Sequence, residues 1–251
     1  MKITWFTTAA IRLEYGGESL LFDPFVPKSR MELLDTYVKE RHILITHGHL
    51  DHLRSLPDIL RESGAIVYCT QTPRESLIRK GVNASCITQI APGDKLNIGG
   101  HTVEVFRGRH IKFDAVLVAE TIFRSLTRLG DAFEIMRLNR EFPENGETVA
   151  FKVSNPDNNV LVLGSLGLDD SIDYGTPDVL ILPYQGRSNI EDVALEVVAR
   201  IKPKIVFPDH FDNAFPPISR VIDTSGVIRR LEREFPQILT IAPETEKEYA
   251  L

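Results

Sequence analysis

The amino-acid sequence predicts an α/β protein in which two mixed β-sheets are covered on their outer faces by helices. Three observations lead there. The chain opens with alternating runs joined by a glycine turn, as an antiparallel meander does. Residues 42–80 and 178–235 alternate strand-like and helix-like segments. Between them lie further short, β-rich runs with hairpin punctuation, interrupted by one helical stretch.

Residues 3–6 and 11–15 alternate along the chain, Gly16-Gly17 supplies a tight turn, and 19–22 follows as a third strand. After Asp23-Pro24, residues 27–39 match neither period. Residues 42–46 form a compact β-branched run that stops at a cluster of histidines. Helical spacing over 53–62 and 73–80 encloses a strand at 65–70. Strands at 87–90, 95–98 and 102–106 are short and punctuated by Pro92-Gly93-Asp94 and Gly99-Gly100.

Residues 114–141 break this rhythm. Val116, Ala119, Ile122, Phe123, Leu126, Leu129 and Phe133 recur at mostly helical spacing, so a helical insertion is expected. Periodicity does not say whether its apolar face covers the core, closes over a site or meets another subunit. Strands at 148–153 and 159–163 then flank the turn Asn155-Pro156-Asp157-Asn158. The last third reads as strand 178–182, helix 190–201, strand 204–207 and a helix within 224–235. Helix 190–201 carries a single apolar stripe, Ser188 with Glu191 reads as its capping box, and Pro203 ends it. No repeat or linker-like stretch interrupts the chain, so residues 1–251 are expected to form one domain.

Composition narrows the function. With 43% hydrophobic and 25% charged residues in 251, there is enough apolar material for a real core. A net charge of −6 and a pI near 5.7 leave no broad positive field, so no nucleic-acid partner is expected. No run of eighteen apolar residues offers a membrane span. The amino terminus lacks the apolar region of a secretory signal, and a cytoplasmic location is expected. Cys69 and Cys86 are too far apart for a Cys-x-x-Cys site and read as small buried hydrophobes. A small-molecule substrate is the expected partner, with a homo-oligomer possible.

Seven histidines are present, and three fall within His47-Gly48-His49-Leu50-Asp51-His52. Imidazoles two residues apart at a strand end project to the same side, so His47 and His49 suit one shared ion. Asp51 and His52, at the start of a helix beginning near Leu53, would point into an adjacent position, and two metal positions are thereby suggested. Gly48 would let the backbone pass close to the ions. A helix cap needs one oxygen acceptor and leaves three imidazoles unexplained. His110 follows the strand at 102–106 and His210 the strand at 204–207, each at a carboxyl end. Alone, either could be only a hydrogen-bonded polar residue. His42 starts a strand and His101 sits in a turn, so both are set aside.

Thr46-His47-Gly48-His49-Leu50-Asp51-His52 after a hydrophobic strand resembles the signature of the metallo-β-lactamase superfamily. Leu20-Leu21-Phe22-Asp23-Pro24-Phe25 is similar to its first motif, especially in the small hydrolases typified by ascorbate-6-phosphate lactonase. Lys202-Pro203-Lys204-Ile205-Val206-Phe207-Pro208-Asp209-His210 resembles its last, while residues 111–147 have no counterpart. The resemblance implies a four-layer αββα sandwich with a helical insertion around 111–147 and metals at one edge of the sheets. It implies that His47, His49 and His110 hold a first ion, and Asp51, His52 and His210 a second. Asp23 would be an outer acceptor for a ligand imidazole or its loop. Its plainer reading is the start of an Asp-Pro turn.

One position departs from the family. Where a Gly-Asp pair would supply a carboxylate bridging the metals, this chain has Gly164-Ser165. A hydroxyl at this possible bridging position does little to offset repulsion between two dications. Asp169 or Asp170 could fold back to substitute, a single ion could remain, or catalysis could be reduced. Asp169-Asp170-Ser171 also reads as a solvated loop or a helix start.

Imidazole and carboxylate ligands favour zinc, one ion or two, with manganese or iron as alternatives. The implied reaction is hydrolysis of a small ester, lactone or phosphoester, in which water activated by the metal attacks a carbonyl or phosphoryl centre. Asp51 would be the catalytic carboxylate, orienting that water or taking its proton. Arg107, Arg109 and Arg187 lie beside the site segments and suit a substrate carboxylate or phosphate. Tyr184 and Gln185 are placed to shape a pocket. The alternative reading, based on Ser165, is a non-catalytic or weakly active metal- or ligand-binding protein of the same fold. A nuclease would need a basic groove that this composition does not supply.

Overall fold

A computed structural model describes residues 1–251. Strands β1 (Lys2–Thr7), β2 (Ala10–Tyr15) and β3 (Glu18–Phe22) form the antiparallel meander, with Gly16 and Gly17 at φ 64° and 86° making the turn that residues with a Cβ avoid. The stretch without a clear period holds the short helix α1 (Leu33–Tyr37). From there the chain alternates as α/β units do: β4 (His42–Leu44), α2 (Leu50–Leu53), α3 (Leu56–Glu62), β5 (Ile66–Cys69), α4 (Gln71–Arg79) and β6 (Ile87–Gln89), with β3 to β6 pairing in parallel. β7 (Lys95–Ile98) and β8 (His101–Arg107) form a hairpin. Two helices follow, α5 (Ala115–Ser125) and α6 (Leu129–Asn139), then β9 (Val149–Ser154) and β10 (Asn159–Leu163). β11 (Val179–Pro183), α7 (Ile190–Ile201), β12 (Ile205–Asp209), α8 (Ser225–Glu234), β13 (Leu239–Thr240) and β14 (Glu248–Ala250) complete the chain.

The strands form two seven-stranded sheets, ordered β14-β1-β2-β3-β4-β5-β6 and β13-β12-β11-β10-β9-β8-β7. Side-chain alternation decides what each face meets. In β10, Val160 and Val162 enter the layer between the sheets with Phe22, Phe151 and Phe207, whereas Leu161 and Leu163 point outward to the α7 and α8 side, with Ala194, Val198 and Leu231. On the other side Ile43 and Val67 meet Leu53, Ile59 and Leu77. Three apolar layers thus separate four structural ones, the αββα arrangement, and both sheets carry helices on their outer faces only.

Three details differ from the sequence reading. The insertion is two helices broken at residues 126–128, not a single run. The Ser188–Glu191 capping box does not form. Asn189 precedes α7 without a side-chain cap, and Ser188 instead gives its N–H and hydroxyl to Asp114, at 2.7 and 3.0 Å. Asp114 also caps α5 by accepting the Leu117 N–H at 3.0 Å. A carboxylate taking several donors outcompetes a lone hydroxyl cap. Finally, β13 and β14 extend the sheets beyond the last element read from sequence, β14 closing on β1 with Ile3 opposite Tyr249. No helix is long and apolar enough to cross a membrane. Both cysteines are free, and burial pushes the Cys69 thiol up to about 12, which leaves it inert at neutral pH.

Candidate metal centre

The histidine loop sits where the sheets meet because the chain is clamped just before it. The Ile45 N–H donates to Tyr68 O in the first sheet, and the Val149 N–H of the second sheet donates to Thr46 O, both at 2.9 Å. His49 is extended, and α2 starts at Leu50, so Asp51 and His52 already lie in a helical turn rather than ahead of a helix at Leu53. Gly48 is required by a close backbone approach from elsewhere in the chain. A Cβ there would lie 2.1 Å from the carbonyl oxygen of Pro143, where the chain leaving the insertion crosses the loop. His110 follows β8 on a segment pinned by the Arg109 N–H to Gly167 O at 2.7 Å. His210 follows β12 directly, at φ 59°, its N–H donating to Thr8 O at 2.9 Å.

These segments bring all six ligand candidates together. The donor atoms of His47, His49 and His110 lie within 4.8 Å of one another, and so do those of Asp51, His52 and His210. The trios adjoin, with the His47 and His52 ring centroids 4.0 Å apart. Within the first, His47 Nε2 and His49 Nδ1 are 3.1 Å apart. Within the second, Asp51 Oδ2 lies 2.8 Å from His210 Nε2 and 3.5 Å from His52 Nε2.

A ring of acceptors behind the imidazoles fixes how they face. His110 Nδ1 lies 2.8 Å from the Ile111 carbonyl, and His210 Nδ1 lies 2.8 Å from Gln185 Oε1. Asp23 Oδ1 accepts the Thr46 N–H at 2.8 Å, and Oδ2 accepts the Thr46 hydroxyl at 2.6 Å and faces His52 Nδ1 at 2.9 Å. His47 Nδ1 in turn lies 3.0 Å from Thr46 Oγ1. A carbonyl or carboxylate partner requires the proton on Nδ1, which makes Nε2 the ring atom turned toward the cluster.

The electrostatics divide the trios. Burial and the neighbouring imidazoles push His47 well below its ordinary range, and burial takes His49 down to about 4 and lowers His110. These three are neutral lone-pair donors at pH 7. In the second trio burial alone would neutralise every group, but the charges resist it. His52 and His210 hold the Asp51 carboxyl well below its usual range, Asp23 and Asp51 raise His52, and the Asp51 hydrogen bond raises His210 to about 9. Five imidazoles, His47 and His52 buried and the other three half-buried, and one carboxylate fit a divalent cation: three nitrogens in one trio, two nitrogens and an oxygen in the other.

Other candidates fall differently. Ser165 Oγ accepts the Ile111 N–H at 2.9 Å. Asp169 takes the Ser171 N–H and hydroxyl at 3.0 and 2.7 Å and faces Arg109, while exposed Asp170 pairs with Arg200. Neither joins a trio, because Ser171 holds the Asp169 carboxylate and Arg200 holds that of Asp170. Arg107 and Arg109 lie off the cavity over the centre, whereas Arg187, Tyr184 and Gln185 line it. Three residues escaped the sequence reading as site elements. Thr46 links Asp23 to His47, and its place before the first histidine was the only signal. Asp209, buried with Oδ1 unpaired, is pushed up to about 8 by burial. Glu144, held low by Thr148 and Gly146 despite burial, adds a charge felt by His49 and His110. The cavity, about 660 Å³, holds all six ligand candidates on its wall.

Residues 2–210 match the family model described as Beta-lactamase superfamily domain. A UPF0173 metal-dependent hydrolase of Pyrobaculum islandicum is 30% identical over 230 residues, 88% of each chain. Among solved structures, Igni18, a metallo hydrolase from Ignicoccus hospitalis, is similar at a TM-score of 0.68 and 19% identity, over 100% of this chain and 98% of that one. CmlA, a diiron beta-hydroxylase from Streptomyces venezuelae, is similar at 0.65 and 12% identity, over 100% of this chain and 54% of its own. Both likenesses are likenesses of fold.

Proposed function

The chain belongs to the metallo-β-lactamase superfamily, and on that premise we propose that it is a metal-dependent hydrolase acting on a small ester, lactone or phosphoester. The observation that carries the reading is the convergence of six side chains, from three separate stretches of chain, into two adjoining trios. His47, His49 and His110 would hold one cation and Asp51, His52 and His210 a second. Nitrogen-rich ligation with a single carboxylate favours zinc, with manganese or iron as alternatives. A cation bound there supplies Lewis acidity, polarising the scissile group and easing deprotonation of water.

The chain's own groups supply the rest. Asp51 keeps an ionised carboxylate beside His210 and His52, so it can orient a water or receive its proton at Oδ. Asp23 and Gln185 keep His52 and His210 turned toward the centre. The residues 1–251 act as one domain around this cavity, with a small molecule as the partner.

A second reading is favoured by one observation: Ser165 offers a neutral hydroxyl, already engaged by Ile111, where a bridging carboxylate is expected. Under it, the protein binds metal or ligand with little or no turnover. A panel of esters, lactones and phosphodiesters assayed on metal-loaded protein separates the two. The hydrolase reading expects turnover that falls about 100-fold or more in Asp51→Asn and His49→Ala. Tightly held metal with no turnover on any of the three classes favours the binding protein.

A further inference from the structure

We infer that the substrate is uncharged and carries an apolar chain or ring beside its scissile bond, held by the inner face of α5 and α6; this rests on the hydrolase reading and narrows its substrate class. A substrate at the two trios shares its cavity with this wall, because Leu117, Ile122, Ile135 and Met136 line it together with the six ligand candidates. Ile122 and Met136 are 60% and 56% exposed. Apolar side chains left open around a buried polar centre mark a surface that something apolar covers. Phe113 and Phe215 add to the apolar lining.

The charges on the wall argue against an anionic substrate. It carries four arginines and no lysine, and each arginine already faces a carboxylate. Arg220 lies 3.0 Å and Arg124 3.8 Å from Glu120; Arg230 lies 2.8 Å from Asp192; Arg187 lies 3.9 Å from Asp114 and also donates to Asn189 and to the Lys112 carbonyl. Glu120 serves both Arg124 and Arg220, but no arginine of the wall is without a carboxylate that competes with a substrate phosphate or carboxylate. Recognition therefore falls to apolar contact, with the metal centre meeting only the reacting group. Of the three substrate classes, neutral esters and lactones fit this wall and phosphoesters do not.

The test uses metal-loaded protein and p-nitrophenyl esters from acetate to octanoate. The expected kcat/KM rises about three- to fourfold per methylene until the chain fills the wall. Ile122→Lys and Met136→Lys should flatten the series, cutting the octanoate-to-acetate ratio by about tenfold or more, while Met136→Leu keeps it. Both positions are exposed, so folding is not at stake, and circular dichroism verifies it. Calorimetric titration with 1-butanol, 1-hexanol and 1-octanol reads the same wall without turnover. Graded binding that the lysine variants weaken, with no ester hydrolysed, would retain the apolar wall and remove the hydrolase reading. Esters hydrolysed at rates independent of length, with no graded alcohol binding, would overturn the inference and leave the hydrolase intact. Preference for alkyl phosphates over neutral esters would overturn it as well. So would a dimer whose contact buries Ile122 and Met136 and excludes the alcohols.

Discussion

The Ser165 hydroxyl accepts the backbone N–H of Ile111 at 2.9 Å. The carbonyl of the same residue lies 2.8 Å from His110 Nδ1, so Ser165 reaches a candidate ligand through one residue. Where a carboxylate would reach the metals directly, the hydroxyl instead steadies the loop that presents His110. Ser165→Ala leaves the buried Ile111 N–H unpaired. It should lower stability by about 1–2 kcal/mol in urea unfolding and weaken binding at the first trio. Unchanged stability and affinity would show that the bond does not hold the loop.

Asp23 accepts three donors on two oxygens while its backbone is left-handed at φ 45°. Asparagine tolerates that backbone, so Asp23→Asn isolates the loss of one acceptor oxygen. Its amide must present donors to Thr46 or to His52, releasing the outer hold on the ring. A drop in metal affinity of about ten- to a hundredfold is expected by competition with a chromophoric chelator.

Filling the second trio should release protons. In the metal-free centre His210, raised to about 9, stays cationic at pH 7.5, whereas His49, lowered to about 4, is a neutral imidazole. A cation binding at His210 must displace that proton, so its apparent affinity should climb with pH and level off above about 9. The first trio, whose three imidazoles are all held below their ordinary range, should bind with little dependence on pH near neutrality. Calorimetry in buffers of different ionisation enthalpy counts the protons. Heats that do not depend on the buffer would contradict the assignment.

Gly48→Ala drives a Cβ to 2.1 Å from Pro143 O, a backbone atom that cannot rotate away. The expected result is a loss of about 1–3 kcal/mol on thermal or urea unfolding, together with weaker metal binding, because the loop carries both His47 and His49.

Much of this was readable in the sequence where the signal is local. His47, His49, Asp51 and His52 announce themselves because a strand end and the next helix turn lie within six residues. His110 and His210 were readable only as residues after strands, and their assignment to trios came from family resemblance, since no spacing tells which distant loops meet. Thr46 carries no signal as a hub, because threonine before a loop is ordinary until Asp23 is seen opposite it. The contact of Gly48 with Pro143 carries no local signal, as Pro143 lies 95 positions away and approaches only through the fold. Ser188 and Glu191 had the spacing of a cap, but Asp114, on a distant loop, took the serine's donors. β13 and β14 are edge strands of two and three residues with no buried side chain, too short to show alternation.

The most direct test of the central claim, that buried imidazoles from separate segments hold metal, is elemental analysis of protein purified without chelator, beside His49→Ala. Between about one and two equivalents of a transition metal are expected in the native protein, with about one fewer in the variant. A native protein that binds none, even after incubation with zinc, manganese or iron, would contradict the account.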